Sequence, residues 1–215
     1  MILRIKKLIL ILNSLAIVSL CFCQNFDIDL LRSVNLERNQ QLDPMMKLLS
    51  ESATPVTVTV PITTFAYGWL AHNKNIQLKG IKMAVAVIGA SLLTTSIKYV
   101  IKRDRPFITY PDIIKLDNAG SPSFPSGHTS TAFSTATALS ISFPKWYVIV
   151  PSYLWAGSVG YSRMHLGVHY PSDVIAGAII GSGTAYISHY LLKRWHQKPK
   201  NKDKTFCQLK LNDTF

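Results

Sequence analysis

Three short polar islands in the apolar second half of the chain carry residue types suited to chemistry on a phosphate group. The first runs from Lys98 through Arg105 to Pro106, the second is Pro125 to His128, and the third runs from Ser162 and Arg163 through His169 to Asp173. Lys98, Arg105 and Arg163 supply three cations for non-bridging phosphate oxygens, and the two arginines can bind them in bidentate fashion. Ser126 offers a hydroxyl, and Gly127 a backbone N–H that a ligand can approach closely. A helix beginning near residues 125–128 would add free N–H groups and a favourable dipole. His169 and Asp173 are four residues apart, so the carboxylate can hold one ring nitrogen while the other attacks phosphorus. His128 remains to protonate the leaving oxygen and then to activate water. Together these groups would stabilise a trigonal-bipyramidal transition state without a metal.

The elements that must position these islands are apolar. Five segments, Val56 to Ala71, Met83 to Ile97, Thr129 to Phe143, Trp146 to Ser162 and Val174 to Leu192, contain no Lys, Arg, Asp or Glu. Most are shorter than the roughly 20 residues that span a bilayer comfortably, but their repetition in series points to a membrane bundle. Trp69, Trp146 and Trp195 fall at or near segment ends, where indoles anchor at the lipid–water boundary. Gly177 and Gly181 permit a close helix contact on the last segment. Ahead of these segments, Arg4, Lys6 and Lys7 precede an apolar run from Leu8 to Cys23, which reads equally as a cleaved signal peptide or as an uncleaved first membrane helix. Residues 25–54 keep apolar side chains at helical intervals and read as short amphipathic helices, lying along the interface or packed on the protein's own surface.

The expected fold is therefore all-α, an integral-membrane helical bundle of about six crossings. Residues 1–23 form the signal peptide or first helix, 24–192 a single membrane domain, and 193–215 a basic cytoplasmic tail. Charge tests this arrangement. With six crossings and the N-terminus inside, residues 1–7, 72–82, Lys145 and the tail place 14 of the 23 Lys and Arg on the inner side, with Asp203 and Asp213 as its acids. The outer segments hold the other nine cations and nine acids, so the formal net charge of +12 lies entirely inside. That follows the positive-inside rule and puts all three islands on the outer side. Cations gathered at the termini rather than on one folded face argue against a nucleic-acid partner. The three cysteines, Cys21, Cys23 and Cys207, provide neither a disulfide framework nor a zinc site.

Taken together, the islands are similar to the three signature motifs of the type 2 phosphatidic acid phosphatase superfamily: K-x6-R-P, P-S-G-H and S-R-x5-H-x3-D. All eleven fixed positions match in order. One four-residue motif would arise by chance with odds on the order of one in a thousand, so the linkage of three is what carries the resemblance. The resemblance implies a helical membrane protein with its site at the outer face of a bacterial inner membrane, towards the periplasm. It implies phosphate binding by Lys98, Arg105, Ser126, Gly127 and Arg163. It also implies a phosphohistidine on His169 supported by Asp173, His128 as acid, no cofactor, and a lipid phosphate as substrate.

Other chemistries remain open at this level. His165, His169 and Asp173 could ligate zinc in a metal-dependent hydrolase, although Pro171 interrupts the helix such a site needs. A vanadium-dependent haloperoxidase shares the resemblance, and a non-catalytic membrane binding protein would need none of the histidines. Lys102 and Arg103 read either as cations attracting an anionic substrate or as partners of lipid headgroups. The segment from Pro106 to Ser123 is expected to border the entrance, with Tyr110, Asp112 and Lys115 reaching the rest of a headgroup.

Overall fold

The computed structural model describes residues 26–196. Residues 26–35 are helical (α1). A single 3-10 turn at Gln40–Leu42 leads into α2 (Asp43–Leu70), α3 (Lys74–Ile101), the short α4 (Pro106–Thr109), α5 (Gly127–Ser142), α6 (Trp146–His165) and α7 (Pro171–His196). The expected all-α class is found, with no strand among the described residues. Residues 1–23, the three cysteines and the tail beyond His196 lie outside the described residues.

Local chemistry explains the helix boundaries. Asn73 caps α3, its side-chain oxygen accepting from the N–H groups of Asn75 and Ile76 at 3.1 and 3.2 Å. Pro106 and Pro171 open α4 and α7, where a missing N–H costs nothing and φ is already set. α3 stops as Lys102 turns into the left-handed region, φ 51°. Arg105 is then extended, as a residue before proline tends to be.

The five long helices α2, α3, α5, α6 and α7 alternate in direction. At 28 residues each, α2 and α3 are about 42 Å long at 1.5 Å per residue, more than the hydrocarbon thickness. Lys74–Thr109 and Pro171–Arg194 are long and apolar enough to cross a membrane on length and composition alone. The other three helices are shorter or richer in hydroxyls, and their membrane character shows in which residues face where. Their outward faces carry Val58, Ile62, Trp69, Trp146, Leu154 and other large apolar side chains. The interior is filled instead by Ala53, Ala86, Ala90, Ala132, Ala136 and Ala156, with Thr57, Thr94, Ser130 and Thr137 among them. Large residues outside and small ones inside is the order expected where lipid is the solvent and close approach drives helix association.

α5, with only 16 residues, is the hub and packs against α2, α3, α6 and α7. Protein on every side lets it be short, and some of its hydroxyls bond within the helix, Thr135 to the Thr131 carbonyl at 2.9 Å and Ser140 to that of Ala136 at 2.7 Å, while Ser130 and Thr137 bond to neighbouring helices. Against it lies the glycine face of α7. A Cβ on Gly177 would stand 2.7 Å from the Ser126 carbonyl oxygen, and one on Gly181 would run into that of Ser130. The close contact expected from this glycine pair is therefore real.

The stretch before residue 54 follows the second of its two readings: it packs on the protein's own surface rather than lying along the interface as short helices. Its second half is the first part of α2, which begins 13 residues before the apolar segment at Val56. Its first half, α1, packs on the protein through Ile28 and Leu31, which meet Ile113 and Tyr170. Burying those two side chains outweighs whatever their exposure to headgroups would offer, because the loops beneath present a matching apolar surface.

Candidate active site

All three polar islands meet at the end of the bundle where α3 and α6 finish and α5 and α7 begin. Lys98 sits on the last turn of α3, Arg163 on the last turn of α6, Gly127 and His128 open α5, Asp173 is in the first turn of α7, and Arg105 and His169 lie in the adjoining loops. Lys98, Arg105, Gly127, His128, Arg163 and His169 line one cavity of about 340 Å³. Two expected members stand behind its wall. Asp173 is fully buried behind His169, and the Ser126 hydroxyl oxygen, also buried, accepts from Thr129 Oγ1 at 2.9 Å.

The turn that presents His169 depends on one glycine. Gly167 has φ +71°, and a Cβ there would collide with the Ile114 carbonyl oxygen. After this reversal His169 Nδ1 faces Asp173 Oδ2 at 3.3 Å, and Nε2 lies 3.4 Å from an Arg105 terminal nitrogen. A proton on Nδ1 satisfies the carboxylate and leaves the Nε2 lone pair directed at the cation-lined cavity. Burial above all, together with the nearby charges of Arg105 and Arg163, pushes the His169 imidazole down to about 3 despite its hydrogen bond to Asp173. The ring is therefore neutral across the physiological range, the state a nucleophile requires.

Asp173 is held by more than the imidazole. Its Oδ2 also accepts from the Tyr170 N–H at 3.0 Å and the Ser123 hydroxyl at 2.5 Å, while Oδ1 accepts from Arg103 at 2.7 Å.

Each cation is anchored by the protein. Lys98 Nζ donates to the carbonyls of Pro122 and Ser123 at 2.6 and 3.1 Å. Arg105 donates to those of Ser121 and Val168 at 2.8 and 2.7 Å. Burial and the Arg163 charge draw the Arg105 guanidinium down to about 10, still protonated at neutral pH. Arg163 donates through one terminal nitrogen to Ser50 Oγ and to Asp117 Oδ2, the latter at 2.6 Å. Burial pushes the Asp117 carboxyl up, but the Arg163 charge and hydrogen bonds outweigh it, so Asp117 is an anion. Arg163 Nε is buried with no acceptor in the protein. A buried charged donor left unpaired is costly, and beside this cavity an anionic oxygen would satisfy it.

Some expectations on the surrounding residues need correction. Arg103 meets neither solvent anions nor headgroups first: it turns inward to Asp173 and Asp27. Lys102 is exposed. The 106–123 segment does border the cavity, but through Asn118, Ala119, Gly120 and Ser121. Tyr110 packs into the cluster beneath α1, Asp112 pairs with Arg32 at 2.8 Å, and the Lys115 ammonium lies over the Phe107 ring. His165 is turned away from His169, its Nε2 2.7 Å from Asp43 Oδ1. Among the described residues no three His, Cys, Asp or Glu side chains converge to hold a metal, so the geometry offers the zinc reading no ligand set. Asp27, Ser50, Asp117 and Ser123 went unseen in the sequence, since none belongs to the three motifs, although Ser123 stands two residues before Pro125.

The fold and the site together define a membrane-bound phosphatase. Residues 79–197 match the model of the PAP2 superfamily. The chain is 31% identical over 164 residues to an undecaprenyl-diphosphatase of Sulfolobus acidocaldarius, covering 76% of this chain and 77% of that protein. It is also 33% identical over 88 residues to a lipid A 4'-phosphatase of Bacteroides thetaiotaomicron, covering 41% of this chain and 39% of the other. Among solved structures it resembles LpxE of Aquifex aeolicus, with a TM-score of 0.66 and 27% identity over 77% of this chain and 95% of that one. A transmembrane phosphatidylglycerolphosphate phosphatase of Bacillus subtilis shares the fold, with a TM-score of 0.69 and 23% identity over 82% of this chain and 89% of the other. The chain belongs to the PAP2 superfamily, as a membrane lipid phosphatase.

Proposed function

We propose that the protein hydrolyses a lipid phosphate or lipid pyrophosphate through a phosphohistidine on His169, at the periplasmic face of a bacterial inner membrane. The observation that carries this reading is the setting of one imidazole: Nδ1 against Asp173, Nε2 against Arg105, at the wall of a cavity lined by Lys98, Arg163 and His128.

In the first step His169 Nε2 attacks phosphorus, the bond to the leaving oxygen breaks, and His128 gives that oxygen a proton. The imidazolium that forms is stabilised by Asp173, and the negative oxygens by Lys98, Arg105, Arg163 and the Gly127 N–H at the start of α5. His128 then takes a proton from water, the hydroxide attacks phosphorus, and the P–N bond breaks to free phosphate and restore neutral His169. Beyond the substrate and one water, every step uses groups of this chain.

Polyprenyl pyrophosphate, phosphatidate, phosphatidylglycerol phosphate and lipid A phosphates all present such a group at headgroup level. The names of the relatives support the first and last of these most directly. The test is a panel of these lipids, with phosphate release measured for the purified protein and for His169→Ala. The variant should fold and release no phosphate, and wild-type enzyme quenched in alkaline denaturant should carry a base-stable, acid-labile phosphate that the variant lacks. Retention of most of the activity would remove His169 as nucleophile. For the orientation, a cysteine placed at exposed Asn118 should react with an impermeant reagent from the periplasmic side; labelling only from the cytoplasm would reverse it.

A further inference from the structure

Behind the His169–Asp173 pair lies a second layer of charge that the phosphatase reading does not use. Arg103 bridges two carboxylates with the two arms of its guanidinium. One terminal nitrogen donates to Asp173 Oδ1 at 2.7 Å and to Ser172 Oγ at 2.7 Å, and the other donates to Asp27 Oδ2 at 2.8 Å. Asp27 belongs to α1, 146 positions before Asp173 in the chain. Its Oδ1 accepts the Ser172 backbone N–H at 2.8 Å and its Oδ2 the Ser172 hydroxyl at 2.5 Å. It thus satisfies a free N–H at the head of α7 from a different segment. The Arg103 guanidinium also lies 3.8 Å from the centroid of the Tyr170 ring, and the backbone N–H of Tyr170 donates to Asp173 Oδ2. Asp27 and Asp173 are buried and Arg103 keeps 27% of its side-chain surface.

We propose that Arg103 and Asp27 are positioning residues of the reaction: Arg103 fixes the Asp173 carboxylate so that Oδ2 faces His169 Nδ1, and Asp27 fixes Arg103. The inference rests on His169 and Asp173 being the nucleophile pair. A carboxylate turns about its last bond with little resistance unless both oxygens are committed. Here Oδ1 is committed to Arg103, so Oδ2 is kept on the side of the ring, which it shares with the Ser123 hydroxyl and the Tyr170 N–H. The fork of Arg103 needs a counter-anchor on its other arm, since a guanidinium held only by Asp173 could swing with it. Asp27 provides that anchor and ties it to the first turn of the helix carrying Asp173. Geometry at the nucleophile therefore depends on a residue of α1, the element that sits over the loops at this end of the bundle. Cleavage after Cys23, on the signal-peptide reading of residues 1–23, would leave Asp27 in place, and so would an uncleaved first helix.

Steady-state kinetics on a lipid phosphate, with thermal unfolding in the same detergent, test this for Arg103→Gln, Arg103→Lys, Asp27→Asn and the double variant Asp27→Asn/Arg103→Gln, with His169→Ala as reference. Misplacing a supporting group of this kind costs about 10- to 100-fold, so Arg103→Gln should lower kcat by that factor with KM within about threefold. Arg103→Lys, which keeps the charge, should recover part of kcat. Asp27→Asn should lower kcat by about three- to tenfold, and the double variant should be no slower than Arg103→Gln by more than about twofold, because both act through one chain of bonds. A rise in KM at constant kcat for Arg103→Gln would overturn the proposal and make Arg103 a cation that attracts substrate. Multiplying effects in the double variant would equally overturn it. Should Asp27→Asn unfold, the Arg103→Gln and Arg103→Lys pair still decides. An active His169→Ala would sink the phosphohistidine reading itself, whereas an inactive one beside fully active Arg103 variants would sink only this inference.

Discussion

Replacing Asp173 by Asn removes one charge from the centre of the network and keeps its shape. The carboxylate oxygen facing His169 is 3.3 Å from Nδ1, so the imidazolium formed as Nε2 attacks gains roughly 332/(20 × 3.3), about 5 kcal/mol, at an effective dielectric of 20. The Arg103 cation, 2.7 Å from the other oxygen, already offsets part of that charge, so a loss of about 3–4 kcal/mol is the better expectation. That corresponds to a fall of about 10²- to 10³-fold in kcat. The amide has no comfortable orientation either. Its NH2 group would face the Tyr170 N–H and the imidazole N–H in one rotamer and the Arg103 guanidinium in the other. Phosphate release from a saturating lipid substrate measures kcat, and a melting curve guards against simple unfolding. A folded Asp173→Asn enzyme retaining a fifth or more of wild-type kcat would refute the claim that this carboxylate stabilises charge on His169.

Three further outcomes follow from the same geometry. Asp117 holds Arg163 through the ion pair at 2.6 Å and so competes with an anionic ligand for it. Asp117→Asn should therefore tighten inhibition by orthovanadate about five- to tenfold while lowering the melting temperature, since the buried guanidinium loses its partner; unchanged inhibition would separate Asp117 from the anion site. His169 has its pKa at about 3 in the fold against about 6.5 unfolded, so the unfolded chain binds the extra proton between those values. The stability this group contributes is full above about pH 6.5 and lost as pH falls towards 3, amounting to about 2 kcal/mol by pH 5. The stability difference between wild type and His169→Gln should shrink accordingly from pH 7.5 to 5, and a constant difference would contradict a neutral buried ring. Gly181→Ala forces a Cβ into the Ser130 carbonyl where α5 meets α7, and should cost about 1–3 kcal/mol in thermal unfolding. An unaltered melting point would mean that the two helices are not in close contact.

Much of this architecture was legible along the chain. Lys98 and Arg105, or His169 and Asp173, are near neighbours whose spacing alone limits where they can sit, and the apolar segments announce their helices because lipid-facing surfaces admit few charges. Boundaries were less legible. α2 starts at Asp43 rather than near Val56 because polar residues such as Ser50 find partners in the loops, a compensation that composition cannot reveal. Tyr110 and Asp112 were expected at the entrance and instead join α1, since a loop's side chains are directed by whatever packs against them.

Sequence by itself determined the helical membrane class and the seven residues of the three motifs that the proposed chemistry uses, because those properties reside in local spacing and side-chain type. Tertiary structure alone decided that His169 turns its Nε2 to Arg105, that Ser126 stands behind the cavity wall, and that Asp27, Ser123 and Asp117 complete the network. Those residues come from separate segments and meet only when α1 and the 110–126 loop close over the end of the bundle. A single hydrogen-bonding side chain carries no local pattern, so its partner is fixed by packing rather than by its neighbours in the chain.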